Sequence, residues 1–267
     1  MSKICLTIFI KLVHTSVPSP QKPAKVILLE YYKPYYTIFI MNAKTETAVK
    51  KLKSMANPKN VEGMARFGIN PKNTLGVSIP FIRKLGKELG KDHRLAGELW
   101  ETGIHEARIL ASLVEEPEKI TSSQMDKWAA DFDSWDVCDQ VCMNLFDRTP
   151  FAYRKIVQWS GRREEFVRRA AFSLIASLAC HDKAAKDAVF EKLLPVIKKA
   201  STDERNFVRK AVNWALRGVG KRNRKLNAKA LETAREIAAM DSKAAKWIAK
   251  DAIREFESPA VRKRLGF

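Results

Sequence analysis

From Met41 onward, apolar residues recur at spacings of three and four and never settle into sustained alternation. That period matches one face of an α-helix, so the chain is expected to be helix after helix, without strands. Proline marks several starts: Ser78-Ile79-Pro80, Thr149-Pro150 and Ser258-Pro259 each put it at an opening turn, where its missing N–H costs nothing. Thr121 with Gln124 three residues later has the spacing of a capping box. The pattern reads as roughly a dozen helices of about 9–18 residues joined by short turns, an antiparallel stack.

Three helices carry clear core stripes. Phe207, Val208, Ala211, Val212, Ala215, Leu216 and Val219 fall on one side of a helix expected from Asp203 to Val219. Val167, Ala171, Leu174, Ile175 and Leu178 do the same from about Arg163, and Val137, Cys138, Val141 and Leu145 after an N-cap at Asp133 or Ser134. No strong internal sequence repeat is visible. Helix pairs every ~35–45 residues nonetheless suit an α-solenoid of the HEAT type, whose curvature makes a concave binding face. A compact irregular bundle is the alternative. The expected fold class is therefore all-α, a helical-repeat solenoid.

Residues 1–41 read differently. They hold no glycine, four of the eleven prolines and four of the five tyrosines, Tyr31, Tyr32, Tyr35 and Tyr36. Lys25 to Ile40 would be strand on propensity alone. We expect residues 1–41 to be an N-terminal extension, disordered or upstream of a physiological start at Met41, and residues 42–267 to be one domain. Intact-mass analysis of protein from its native host checks this: a mass that includes residue 1 rejects the start at Met41.

Composition sharpens the functional class. Lysine and arginine outnumber acids 49 to 30, for a formal charge of +19. Residues 151–267 hold 28 basic and 13 acidic side chains, whereas residues 42–150 are neutral. A field so concentrated calls for a polyanion, nucleic acid first, and would make the concave face basic. Six aspartates, Asp126, Asp131, Asp133, Asp136, Asp139 and Asp147, form a local acidic spot in the neutral stretch. No apolar run approaches the ~20 residues of a membrane span. Cys5, Cys138, Cys142 and Cys180 lack disulfide or metal spacing and read as buried small residues in a reducing cytoplasm.

Candidate chemistry falls in three places. Lys210, Trp214, Arg217 and Lys221 sit at i, i+4, i+7 and i+11, opposite the core stripe of their helix. Cations beside an indole suit phosphates and a sugar or base. Trp135 and Asp139 lie one turn apart with Phe146 near the same line, and such a strip can hold a cationic group. Asp136, in a first turn, reads as a dipole partner. Arg169 points away from its core stripe, where Ser173 and Ala176 leave room for a groove. Gly218-Val219-Gly220-Lys221 lacks phosphate-loop spacing, and no nucleophile elbow or His-Glu-x-x-His helix appears. An enzyme built on these residues would be metal-free.

In order and spacing, Met64-Ala65-Arg66-Phe67, Leu75-Gly76-Val77-Ser78-Ile79-Pro80, Trp135-Asp136-Val137-Cys138-Asp139, Arg168-Arg169-Ala170-Ala171 and Lys210-Ala211-Val212-Asn213-Trp214-Ala215-Leu216-Arg217 resemble one family. It is the AlkD-like DNA alkylation repair family, HEAT-like glycosylases that excise positively charged alkylpurines. The resemblance runs from about Glu62 to the C-terminus. It implies that Asp139 is the catalytic carboxylate and that Trp135 and Trp214 flank the lesion's deoxyribose. It implies too that Arg169 contacts phosphate in the cleft, with Phe67 and Ser78 at the DNA interface beside Lys210, Arg217 and Lys221. The implied partner is duplex DNA carrying alkylated bases, bound by a monomer, with no cofactor, metal or membrane. Two departures are Ser134, where the family often has an aromatic, and Phe67, where it has a tyrosine. A catalytically silent relative binding unusual DNA, or a helical protein–protein scaffold, are the competing classes.

Overall fold

Side-chain caps set where the helices begin. In the computed structural model, which describes residues 42–267, Asn57, Asp92, Thr121, Asn223, Ser242 and Ser258 each accept a hydrogen bond from the backbone N–H three residues on. Each such cap is worth about 1 kcal/mol. The elements run α1 (Ala43–Ser54), α2 (Pro58–Arg66), α3 (Ile79–Leu89), α4 (His93–Glu101), α5 (His105–Val114), α6 (Ser122–Ala130) and α7 (Trp135–Asn144). A 3-10 turn (Phe146–Arg148) leads to α8 (Ala152–Trp159), α9 (Glu165–His181), α10 (Asp187–Glu191), α11 (Leu194–Ala200), α12 (Asn206–Gly220), α13 (Arg224–Ala238), α14 (Lys243–Phe256) and α15 (Pro259–Leu265). No strand occurs among the described residues, as the apolar spacing predicts.

Residues 43–267 form one compact unit. Six of its helices make a row in which each packs on the next: α3, α5, α7, α9, α12 and α14. Of the other helices, α4 packs on α5, α8 on α9 and α13 on both α12 and α14. Trp100 of α4 stacks on Trp128 of α6 with ring centroids 4.0 Å apart, and Trp159 of α8 donates to Asp126 of α6 at 2.9 Å. These three indoles are buried and belong to the core.

Hydrogen bonds between neighbouring helices of the row show its repeat. His105–Asp136, Asp139–Arg169 and Asn213–Asp251 join partners 31, 30 and 38 residues apart, shorter for the first two than the expected spacing. The α9–α12 contact is the most extensive in the unit, and small residues are the reason. A Cβ on Gly218 would lie 3.4 Å from the Cα of Ala176. Ser173 and Ala176, expected to leave a groove open, are instead buried: Ser173 donates to Asp139 of α7, and Ala176 lies against Gly218 of α12.

Several local expectations change. Pro150 lies between the 3-10 turn and α8 rather than in a helix's first turn. Thr121 caps α6, but the Gln124 side chain bonds Glu115 at 3.0 Å, so the capping box is half made. Phe146 is fully buried between Phe132 and Trp159, away from the Trp135–Asp139 strip. Cys138 and Cys142 are buried and donate to the carbonyls of Phe166 and Ala170, whereas Cys180 is exposed. The expectations for Cys5 and residues 1–41 lie outside the described residues. No described helix is long and apolar enough to cross a membrane.

Candidate functional site

The acidic spot seen in the sequence is dispersed in space, each aspartate being held by its own donor. Asp126 pairs with the buried Lys155 at 2.7 Å, Asp131 accepts from Trp100 at 2.8 Å, and Asp133 accepts from Asn70 at 2.8 Å. Asp136 meets His105 at 2.8 Å, and Asp147 meets His181 at 2.6 Å and Ser177. Asp136 is thus an inter-helix anchor as well as a first-turn acid. Burial alone would lower the His105 pKa, but the hydrogen bond and charge of Asp136 hold it above the ordinary histidine value.

Asp139 lies in the second turn of α7 and faces α9. Arg169 of α9 grips it bidentately, with Nε 3.0 Å from Oδ1 and Nη2 2.7 Å from Oδ2. Ser173, one turn further along α9, donates to the same Oδ1 at 2.7 Å. The third guanidinium nitrogen donates to the carbonyl of Phe207 at the start of α12, 2.5 Å away. A planar fork matched to a carboxylate is the strong form of this bond. Burial works against the charge on Arg169, yet Asp139 more than compensates and raises its pKa.

Trp135 adds the aromatic wall. The Arg169 guanidinium carbon stands 5.8 Å from its ring centroid, and its indole N–H donates to the carbonyl of Phe67 at 3.1 Å. Gly68, with φ +77°, seats the same loop on the Phe207 ring, where a Cβ would come within 2.6 Å of Cζ. Asn70 secures the loop, its N–H donating to the buried Ser134 hydroxyl at 2.9 Å. The loop after α2 is therefore fastened to the start of α7. Phe67 caps α2 and projects into solvent, 74% exposed.

The Leu75–Pro80 motif is organised by a residue the sequence reading passed over. The buried carboxylate of Glu106 accepts from the backbone N–H groups of Leu75, Gly76 and Val77 at 2.7–3.2 Å. Gly76 has φ +75°, and a Cβ there would sit 2.3 Å from the Asn57 carbonyl. Ser78 follows, exposed, at the N-cap of α3 with no side-chain capping bond. Glu106 and the inter-helix partner His105 lacked any local sequence pattern. Only the fold brings them to their partners.

On α12 the four predicted residues divide. Lys210 is exposed and makes no ion pair among the described residues, while Trp214 is half-buried. Arg217 pairs with Glu255 and, at 3.1 Å, with Asp251, and Lys221 reaches Glu255 at 3.0 Å. Those two cations are thus engaged with α14. No trio of His, Cys, Asp or Glu among the described residues is placed to hold a metal.

A row of stacked helix pairs, bearing an aromatic, a carboxylate and a guanidinium on adjacent members, defines a helical-repeat protein with a polar cluster built across its repeats. The chain belongs to the DNA alkylation repair enzyme family, whose model matches residues 48–256. An uncharacterized protein of Listeria innocua is 24% identical over 191 residues, spanning 70% of this chain and 83% of that one. A solved structure from a family described as related to the HEAT-like repeat DNA glycosylases, with affinity for branched DNA structures, superposes with a TM-score of 0.68. It is 21% identical, covering 84% of this chain and 96% of the other, and supports the helical-repeat fold.

Proposed function

We propose that this protein is a DNA glycosylase that excises cationic N3- or N7-alkylated purines from duplex DNA without flipping the base. The observation that carries the reading is the Asp139 carboxylate, fixed by Arg169 and Ser173 beside the face of Trp135. An alkylated purine already bears positive charge, so it leaves without protonation by a general acid and without a cofactor. Breaking the glycosidic bond moves positive charge onto the sugar. A carboxylate and π faces already in place stabilise that charge with no reorganisation. Trp135 and Trp214 flank the deoxyribose, and Asp139 also orients the attacking water.

Arg169 has two roles in this account. Without DNA it neutralises Asp139, which offsets the cost of holding a largely buried carboxylate. With DNA, a backbone phosphate competes for its fork, and Asp139 keeps the Ser173 bond while its charge turns to the sugar. Lys210, with Phe67 and Ser78 across the site, contacts the strand, and Arg217 and Lys221 add field through their network with Glu255. Together they form the basic concave face, and the protein acts as a cytoplasmic monomer.

A second reading is a silent protein that binds unusual DNA structures. It is favoured by the occupation of both Asp139 oxygens, since a carboxylate permanently paired to Arg169 has little charge left for catalysis. Chromatography of bases released from methylated duplex DNA separates the two. Release of 3-methyladenine or 7-methylguanine establishes the glycosylase, and no release with DNA binding intact establishes the silent binder.

A further inference from the structure

Trp135, Trp214 and Trp247 are the tryptophans not buried in the core, and Trp247 has no part in the site above. It is the fifth residue of α14 and is 40% exposed. Leaving that much of an indole in water forgoes hydrophobic stabilisation. The guanidinium of Arg209, from α12, lies over the ring at 5.3 Å from its centroid. The Arg209–Trp247 pair is the first rung of the α12–α14 seam. Later rungs at the same offset, Asn213–Asp251 and Arg217–Glu255, are hydrogen bonds and charge pairs between residues 38 apart. The first rung alone couples a cation to an exposed aromatic face.

Its surroundings are cationic. Lys243 lies one turn before Trp247, Lys250 one turn after, and Lys210 next to Arg209. All three are exposed and without an ion pair among the described residues. Two acids lie nearby: Glu204 accepts from Ser242 and Ala244 and keeps its charge beside Arg209 and Lys243, and Asp251 accepts from Asn213 and Arg217. The Nε of Arg209 is buried with no acceptor among the described residues.

We propose that Trp247 and Arg209 form a stacking platform for an unpaired DNA base, with Lys210, Lys243 and Lys250 holding the flanking phosphates. The inference rests on the DNA-binding reading and extends it to a second contact. A base within a duplex already has both faces covered, so an indole gains by stacking only where a base is unpaired. The helices α7, α9, α12 and α14 are successive neighbours, at about 8–10 Å per step, so the platform stands roughly 25–30 Å along the row from Trp135. DNA bound at Asp139 therefore reaches the platform at a fork, gap or frayed end.

The test compares a forked duplex, carrying 2-aminopurine in its unpaired arm, with a fully paired duplex of equal length, each bound by wild type, Trp247→Ala and Trp247→Phe. Loss of one stacked base predicts that Trp247→Ala weakens fork binding about tenfold and duplex binding less than twofold. Quenching of 2-aminopurine is lost with it, and Trp247→Phe keeps most of both. Equal losses on the two DNAs, or no loss on the fork, overturn the platform. If wild type binds duplex and releases alkylpurines while Trp247→Ala matches it on the fork, only this inference falls. If wild type binds neither DNA, the DNA reading fails and takes the platform with it.

Discussion

Replacing Arg169 by alanine strips the Asp139 carboxylate, whose side chain is 13% exposed in the intact pair, of every donor but Ser173. The pair is buried on both sides, and the Arg169 side chain is 7% exposed. Removing one member of such a pair costs about 3–5 kcal/mol, mostly the penalty of an uncompensated charge. The bond to the Phe207 carbonyl goes as well, adding about 1 kcal/mol. If stranded charge is the cause, neutralising Asp139 in the same molecule must return much of the loss. Urea unfolding of Arg169→Ala, Asp139→Asn and the double variant measures this directly. The double variant should be about 2–3 kcal/mol more stable than the sum of the single effects, with m unchanged. Additivity within about 0.5 kcal/mol, or a cost below 1 kcal/mol for Arg169→Ala, refutes the buried pair and the Arg169 exchange built on it.

Other expectations follow from separate parts of the molecule. Lys210→Ala should weaken binding across DNA sequences and reduce the slope of log affinity against log salt by about 0.9, and an unchanged slope removes Lys210 from the interface. The raised pKa of His105 means that its bond to Asp136 stabilises the fold fully below the ordinary histidine value of about 6.5 and loses that effect as pH rises through the raised value. Thermal unfolding of His105→Gln against wild type should therefore show a gap that is widest in mild acid and narrows in alkali; a gap independent of pH contradicts it. Gly220→Ala should destabilise by about 1–3 kcal/mol, because the new Cβ would lie 2.4 Å from the Phe256 ring, and a neutral result in urea would mean the α12–α14 contact is looser.

Much of the fold was legible because helix starts and core stripes are local. Thr121 caps α6 from three residues away, and the stripes of α7, α9 and α12 are buried as their spacing implies, apart from Phe207, which is half-buried. The site was legible only through motifs. Trp135, Asp139 and Arg169 meet because α7 and α9 are neighbours, a fact their 30-residue separation does not carry. Exposure was harder still. Arg217 and Lys221 look free along α12, and only the position of α14 gives them Glu255. Small residues beside Arg169 were ambiguous between an open groove and a close helix contact, and the packing of Gly218 on Ala176 resolved it. Glu106 left no local trace, because its three partners are backbone N–H groups about thirty residues upstream.

In the proposed reaction the Asp139 carboxylate stabilises positive charge developing on the sugar. Single-turnover excision of 7-methylguanine by Asp139→Asn and wild type, with affinity for the same duplex measured alongside, tests it most directly. Binding should be unchanged and the rate lower by about 10²–10³. Equal single-turnover rates would contradict it.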